Sequence, residues 1–161
     1  MNQTIFIREA APADYNRVLE LIQELATFEK EPDAVEVTVD ELIASASGSS
    51  PLFTCFVGEV NDRIEGIALC YFRFSTWKGK TVHLEDLIVT EHMRGIGLGK
   101  KLYDRVLQHA HKNQVRRVEW VVLDWNTNAI EFYEKTGATM IKDWYLAQMN
   151  ETALQEYINR L

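Results

Sequence analysis

The chain has 161 residues, 47% of them hydrophobic, and a formal net charge of −7. That length and composition suit one domain with a real core, and no stretch approaches the roughly 20 apolar residues of a membrane span. The acidic balance argues against a nucleic-acid partner, which needs clustered Lys and Arg. The amino terminus lacks the basic start and apolar run of a secretory signal, so a cytoplasmic protein is expected.

In chain order, residues 4–8 are predicted as a strand and 13–28 as a helix with Val18, Leu21, Ile22 and Leu25 on its inner face. Thr38-Val39-Asp40-Glu41 matches a capping box and predicts a short helix toward Ala46, ended by the loop Gly48-Ser49-Ser50-Pro51. Segments 53–60 and 64–74 read as strands around a hairpin turn at Asn61-Asp62, and 81–89 as a further strand. Leu98, Leu102, Val106 and Ala110 then recur every fourth residue, the signature of an amphipathic helix. A strand near 118–123, a helix from about 128 to 135 with a stop at Gly137, and strand-like pieces around Met140 and over 145–149 precede the tail. With no repeat or linker, residues 1–161 are expected to form a single domain. Cys55 and Cys70 each fall inside an apolar strand-like run, where core residues are favoured over a catalytic thiol. His83, His92, His109 and His111 show no metal-ligand spacing, so no metal is expected.

The most informative stretch joins the 81–89 strand to the helix behind it, through Arg94-Gly95-Ile96-Gly97-Leu98-Gly99-Lys100. Glycines there let the backbone bend and approach a ligand closely. The helix start offers unpaired N–H groups and the positive end of its dipole to an anion. Arg94 and Lys100 bracket the loop with positive charge, which favours a phosphate cradle over a ligand-free glycine turn. A Walker loop is excluded, because Arg94 stands where its first glycine belongs and Lys101 where its Ser or Thr belongs. A Rossmann fingerprint is excluded by the spacing Gly-x-Gly-x-Gly and by its place in the second half of the chain.

Arg94-Gly95-Ile96-Gly97-Leu98-Gly99 resembles the acetyl-CoA loop of the Gcn5-related N-acetyltransferase superfamily, Arg/Gln-x-x-Gly-x-Gly/Ala. The runs Leu84-Glu85-Asp86, Asp124-Trp125-Asn126, Phe132-Tyr133 and Gly137-Ala138 resemble its diamine (spermidine/spermine) acetyltransferase branch. Ser75-Thr76-Trp77-Lys78-Gly79 and Val122-Leu123-Asp124-Trp125-Asn126 are most similar to the thialysine acetyltransferases of that branch. The resemblance implies an α/β (α+β) acetyltransferase fold, with a mixed, mostly antiparallel sheet splayed at the acetyl-CoA site and flanked by helices. It implies acetyl-CoA as the acetyl donor, a small-molecule amine as acceptor, direct attack in a ternary complex, and a homodimer.

Acetyl transfer to an amine needs a proton acceptor, since a free alkylammonium has a pKa near 10.4. It also needs a polarised thioester carbonyl and an acid for the departing thiolate. Amides of Leu87, Ile88 and Val89 are placed to serve the carbonyl and the pantetheine arm if the sheet splays beside them. Glu85 and Asp86, adjacent on a strand, are expected on opposite faces with one more buried than the other. The resemblance makes Glu85 the proton acceptor, through water, and has Asp86 line the amine site; an ion pair in the core is the alternative. It makes Tyr133 the general acid, against an ordinary core tyrosine. The same resemblance adds Asn126, Asn128 and Ala129 to the coenzyme contacts, and Phe28, Glu29 and Trp77 to the amine site. Polyamine enzymes carry an acid two positions before the tryptophan that Trp77 matches. Here that position is Ser75, and Lys78 follows the tryptophan, which favours a short amine that also bears a carboxylate. The remaining readings are a protein lysine or N-terminal acetyltransferase and a non-catalytic coenzyme A binding module.

Overall fold

The computed structural model of the chain describes residues 4–161. Among them five strands form one sheet in sequential order: β1 (Ile5–Glu9), β2 (Thr54–Val60), β3 (Arg63–Ser75), β4 (Gly79–Val89) and β5 (Val118–Glu119). The first four run antiparallel to their neighbours and β5 runs parallel to β4, the mixed, mostly antiparallel arrangement expected. The sheet lies in a compact unit that ends at Val121, and Val122–Leu161 forms a second unit. No helix among the described residues is long and apolar enough to cross a membrane.

Local chemistry explains the elements of the first unit. Asn61 and Asp62 take φ of 51° and 64°, the left-handed pair that a tight two-residue hairpin requires between β2 and β3. Helix α1 (Tyr15–Phe28) follows a short 3₁₀ turn at Pro12–Asp14, so it begins two residues later than predicted. Helix α2 (Val39–Ala46) opens on its capping box: the Glu41 N–H donates to Thr38 Oγ1 at 3.3 Å, and Thr38 N–H donates to the Glu41 carboxylate at 2.8 Å.

Both sheet faces are covered. On one, Val18 and Leu21 of α1 and Leu42 of α2 pack with Cys55, Val57, Ile67, Leu69 and Ile88. Each such side chain taken fully out of water stabilises the fold by about 1.5–3 kcal/mol. On the other lies α3 (Leu98–Lys112), with Leu98, Leu102, Val106 and Ala110 buried as the four-residue period predicts. It packs so closely that a Cβ on Gly58 of β2 would stand 2.6 Å from Leu98 Cδ1. Cys55 and Cys70 are both buried, and burial drives both thiols up, Cys70 to about 12. A thiol held protonated in this way is a poor nucleophile, in keeping with core roles.

The second unit departs further from expectation. Helix α4 (Thr127–Lys135) starts on Asn126, whose Oδ1 accepts the Ala129 N–H at 3.4 Å, and Gly137 follows at φ +95°. The strands expected around Met140 and over 145–149 are not formed, and Ile141, Trp144, Tyr145 and Leu146 are exposed. Apolar character alone does not make a strand; a ladder partner must supply the backbone bonds. The tail contains a helix that periodicity did not reveal, α5 (Glu151–Ile158), capped where Ala153 N–H donates to Asn150 Oδ1 at 2.9 Å. The strand expected over 118–123 is likewise reduced to Val118–Glu119.

Candidate active site

The junction between β4 and α3 has the geometry of an anion cradle. Thr90 N–H donates to Glu65 C=O of the β3 side at 2.8 Å. Antiparallel alternation therefore turns the amides of Leu87 and Val89 toward the opposite edge of β4. There the Val89 carbonyl accepts from Arg94 Nε at 3.1 Å. Since β5 pairs with β4 only at Val82 and His83, that edge runs on without a paired strand past Leu84. Ile88, between the two, turns its amide to β3 and buries its side chain in the core. In the loop, Gly95 and Gly97 take φ of +84° and +87°, and a Cβ at either would meet no heavy atom within 4 Å. Gly97 C=O accepts the Lys101 N–H at 3.1 Å, which leaves the amides of Leu98, Gly99 and Lys100 at the start of α3 without helical acceptors. Open space on the glycine side, outward amides and a helix dipole fit a pyrophosphate. Ile96 and Leu98 anchor the loop, half-buried and buried respectively. The two cations differ from expectation in their engagement. Lys100 is held by Asp104 at 2.6 Å, and the Arg94 guanidinium lies 5.1 Å above the Phe28 ring.

Glu85 and Asp86 do not point to opposite faces. Asp86 pairs with Leu69 and Leu84 with Cys70, so Glu85 is an extra residue in β4. This β-bulge breaks the two-residue period on which the expectation rested, and it turns both carboxyls toward the α1 face. The expected inequality of burial does hold, with Glu85 exposed and Asp86 half-buried. Burial, and then the neighbouring charges of Glu85 and Glu29, push the Asp86 carboxyl up to about 7. No basic side chain among the described residues forms an ion pair with it. Glu29, just past the end of α1, is exposed as a residue, yet partial desolvation also raises its carboxyl.

Two side chains that residue-by-residue reading missed contact Glu85, and two more stand behind them. Tyr71 Oη donates to Glu85 Oε2 at 2.9 Å, and His83 Nε2 stands 3.4 Å from the same oxygen. Arg73 Nη1 lies 3.2 Å from His83 Nδ1. Guanidinium can only donate, so Nδ1 accepts and the imidazole proton sits on Nε2, facing Glu85. Burial, ahead of opposed contributions from Glu85, Arg73 and Glu119, lowers the His83 pKa and keeps the ring neutral. Arg73 also pairs with Glu119 of β5 at 2.9 Å. Arg117 Nε is 2.8 Å from the other Glu119 oxygen, an ion pair without a hydrogen bond. The signal for this group was the cross-strand pairing of Tyr71 with His83, which requires the register to be known.

The other expected residues are placed as follows. Trp77 stands exposed in the β3–β4 turn, where Ser75 Oγ accepts the N–H groups of Trp77 and Lys78 at 3.2 Å each. Tyr133 is buried in α4 with its ring 5.3 Å from that of Phe132. Asn126 uses its side-chain oxygen on the Ala129 amide as a helix cap, and Asn128 is exposed beside it. Among the described residues no cluster of three His, Cys, Asp or Glu could hold a metal. An open cleft of about 550 Å³ is lined by Arg8, Asp14, Arg17, Glu59, Glu65 and His92 among others. Its Arg8 and Arg17 are engaged by its carboxylates, as in Arg8–Asp14 and Arg8–Glu59 at 2.6 Å, and neither bulge carboxyl lines it.

Residues 15–138 match the Acetyltransferase (GNAT) family. The chain is 34% identical to a thialysine N-epsilon-acetyltransferase of Bos taurus, over 94% of this chain and 96% of that protein. It is 35% identical to a spermidine/spermine N(1)-acetyltransferase-like protein of Homo sapiens, over 92% of this chain and 23% of that longer protein. Among solved structures, an integron cassette protein from the mobile metagenome of V. cholerae superposes with a TM-score of 0.78. That match has 18% identity and covers 98% of this chain and 99% of the other.

Proposed function

Since this chain belongs to the GNAT acetyltransferase family and is an acyltransferase that takes acetyl-CoA as donor, we propose that it acetylates the side-chain amine of a thialysine- or lysine-like amino acid. Diamines and polyamines are slower acceptors in this reading. The observation that carries it is the bulge, which turns Glu85 and Asp86 to one face beside the unpaired edge of β4 and the loop that follows.

The roles follow from the chemistry. The Gly95–Lys100 segment and the first-turn amides of α3 hold the pyrophosphate, and the β4 edge amides of Leu87 and Val89 hold the pantetheine arm and polarise the thioester carbonyl. Glu85 and Asp86 receive the ammonium, with Phe28, Glu29 and Trp77 around its stem. Glu85, fixed by a hydrogen bond from Tyr71 with His83 Nε2 alongside at 3.4 Å, takes the proton through water. Asp86, whose carboxyl sits near neutrality, shares that proton. The neutral amine then attacks the carbonyl carbon, the C–S bond breaks, and the nitrogen releases its second proton through water, replacing the one that Tyr133 donates. Tyr133 gives its phenolic proton to the departing thiolate, a suitable match because phenol and alkyl thiol have similar basicity. Asn126, Asn128 and Ala129 complete the coenzyme contacts.

A homodimer and a cytoplasmic location belong to the same proposal, and sedimentation as a monomer at micromolar concentration would remove the former. The activity is tested by thiol release from acetyl-CoA across a panel of free amines and lysine-bearing peptides. Turnover confined to small amines supports the proposal. Turnover confined to peptides favours a protein acetyltransferase, and acetyl-CoA binding without any thiol release favours a binding module.

A further inference from the structure

The sheet face that carries the bulge is polarised along its length. At one end stand three acids, Glu85, Asp86 and Glu29, and the charges of Glu85 and Glu29 help to raise the Asp86 carboxyl. At the other, Arg73 and Arg117 share the one carboxylate of Glu119, which leaves an excess of positive charge. The two ends are separated by the width of a single imidazole: Arg73 Nη1 touches one His83 nitrogen at 3.2 Å, and the other faces Glu85 at 3.4 Å. Tyr71 and His83, rings 5.2 Å apart, form an aromatic floor between them.

Arg73 is the notable member. Its side chain remains half exposed although it makes two polar contacts. Both of those contacts use Nη1, so Nη2 and Nε keep their donors for a planar, bidentate acceptor. Glu119 Oε1, paired with Arg73, is an acceptor for an ammonium in the same place.

We propose that Arg73 and Glu119 clamp the α-carboxylate and α-ammonium of an amino acid whose side-chain amine reaches Glu85 and Asp86. This deepens the amine-acetylation reading given above and rests on it. The aliphatic stem lies along Tyr71 and His83, and a four-carbon stem of the lysine type bridges the two ends. A polyamine has no anion for Arg73 and brings a cation to the positively charged end, so the clamp selects against it by repulsion as well as by missing contacts. The substrate class is therefore an α-amino acid with a terminal primary amine.

The test compares kcat/KM for lysine and for lysinamide, which differ only in the carboxylate, with wild type, Arg73→Met and Arg73→Lys. Wild type should prefer lysine by on the order of tenfold or more, the worth of one charge-assisted contact. In Arg73→Met the ratio should fall to about one, and Arg73→Lys should restore part of it. Any loss transmitted through His83 to Glu85 lowers both substrates together and cancels in the ratio. An unchanged ratio in Arg73→Met would overturn the clamp while leaving amine acetylation in place. Wild-type enzyme that acetylates neither compound would overturn the clamp together with the reading beneath it.

Discussion

Replacing Asp86 with Asn removes a charge that the fold holds at a cost. In the unfolded chain an Asp carboxyl titrates near 3.8, whereas burial beside Glu85 and Glu29 raises it to about 7. The native state thus binds this proton more tightly than the unfolded state, so stability falls as pH rises from about 4 to 7, and the full cost applies above neutrality. At about 1.36 kcal/mol for each tenfold change in proton affinity, that cost is on the order of 4 kcal/mol. Asp86→Asn escapes it. Its stability advantage over wild type should grow by roughly 2–3 kcal/mol between pH 5 and pH 8.5. For a chain of this size the whole effect corresponds to about 10 °C in Tm at the alkaline end. Urea denaturation of both proteins at the two pH values measures it. The same variant should lose at least about 10²-fold in turnover, so the group that weakens the fold is one that works in it. An advantage that does not change with pH, or a variant less stable than wild type at pH 8.5, would refute the argument that Asp86 is desolvated and unpaired.

Three further expectations follow from the geometry. Gly97→Val puts a β-branched side chain at φ +87°, into the open space of the cradle. It should cost about 1–3 kcal/mol of stability and abolish the rise in Tm that acetyl-CoA gives the parent; an undiminished rise would discard the loop assignment. Tyr133→Phe should lower kcat by about 10²–10⁴-fold with a much smaller effect on acetyl-CoA affinity, and near-normal turnover would make Tyr133 a packing residue. Gly58→Val drives side-chain atoms into Leu98, already 2.6 Å from a bare Cβ, so α3 must shift. A destabilisation of at least about 1–3 kcal/mol should appear in denaturant melts.

Much of the first unit was legible because its signals are local. The Thr38–Glu41 capping box, the Asn61-Asp62 turn and the four-residue period of α3 each state their structure within a few residues. The glycine turn between β4 and α3 was legible for the same reason. What reading by position could not supply was register. The bulge at Glu85 depends on how β4 pairs with β3, and a strict two-residue alternation therefore put Glu85 and Asp86 on opposite faces. The group formed by Tyr71, Arg73, His83 and Glu119 is drawn from three strands, and no run of sequence announces it. In the second unit, apolar residues over 140–149 imitated strands whose ladder is not formed. The Asn150 cap that opens α5 was a readable signal that the apolar pattern concealed.

The central claim, acetylation of a small amine that carries its own carboxylate, is tested most directly by kcat/KM for thialysine, spermidine and spermine with the same preparation and acetyl-CoA concentration. The predicted order places thialysine clearly first and spermine last. A clear preference for spermine would contradict the account, because neither Ser75 and Lys78 nor the positive end of the site would then set the acceptor.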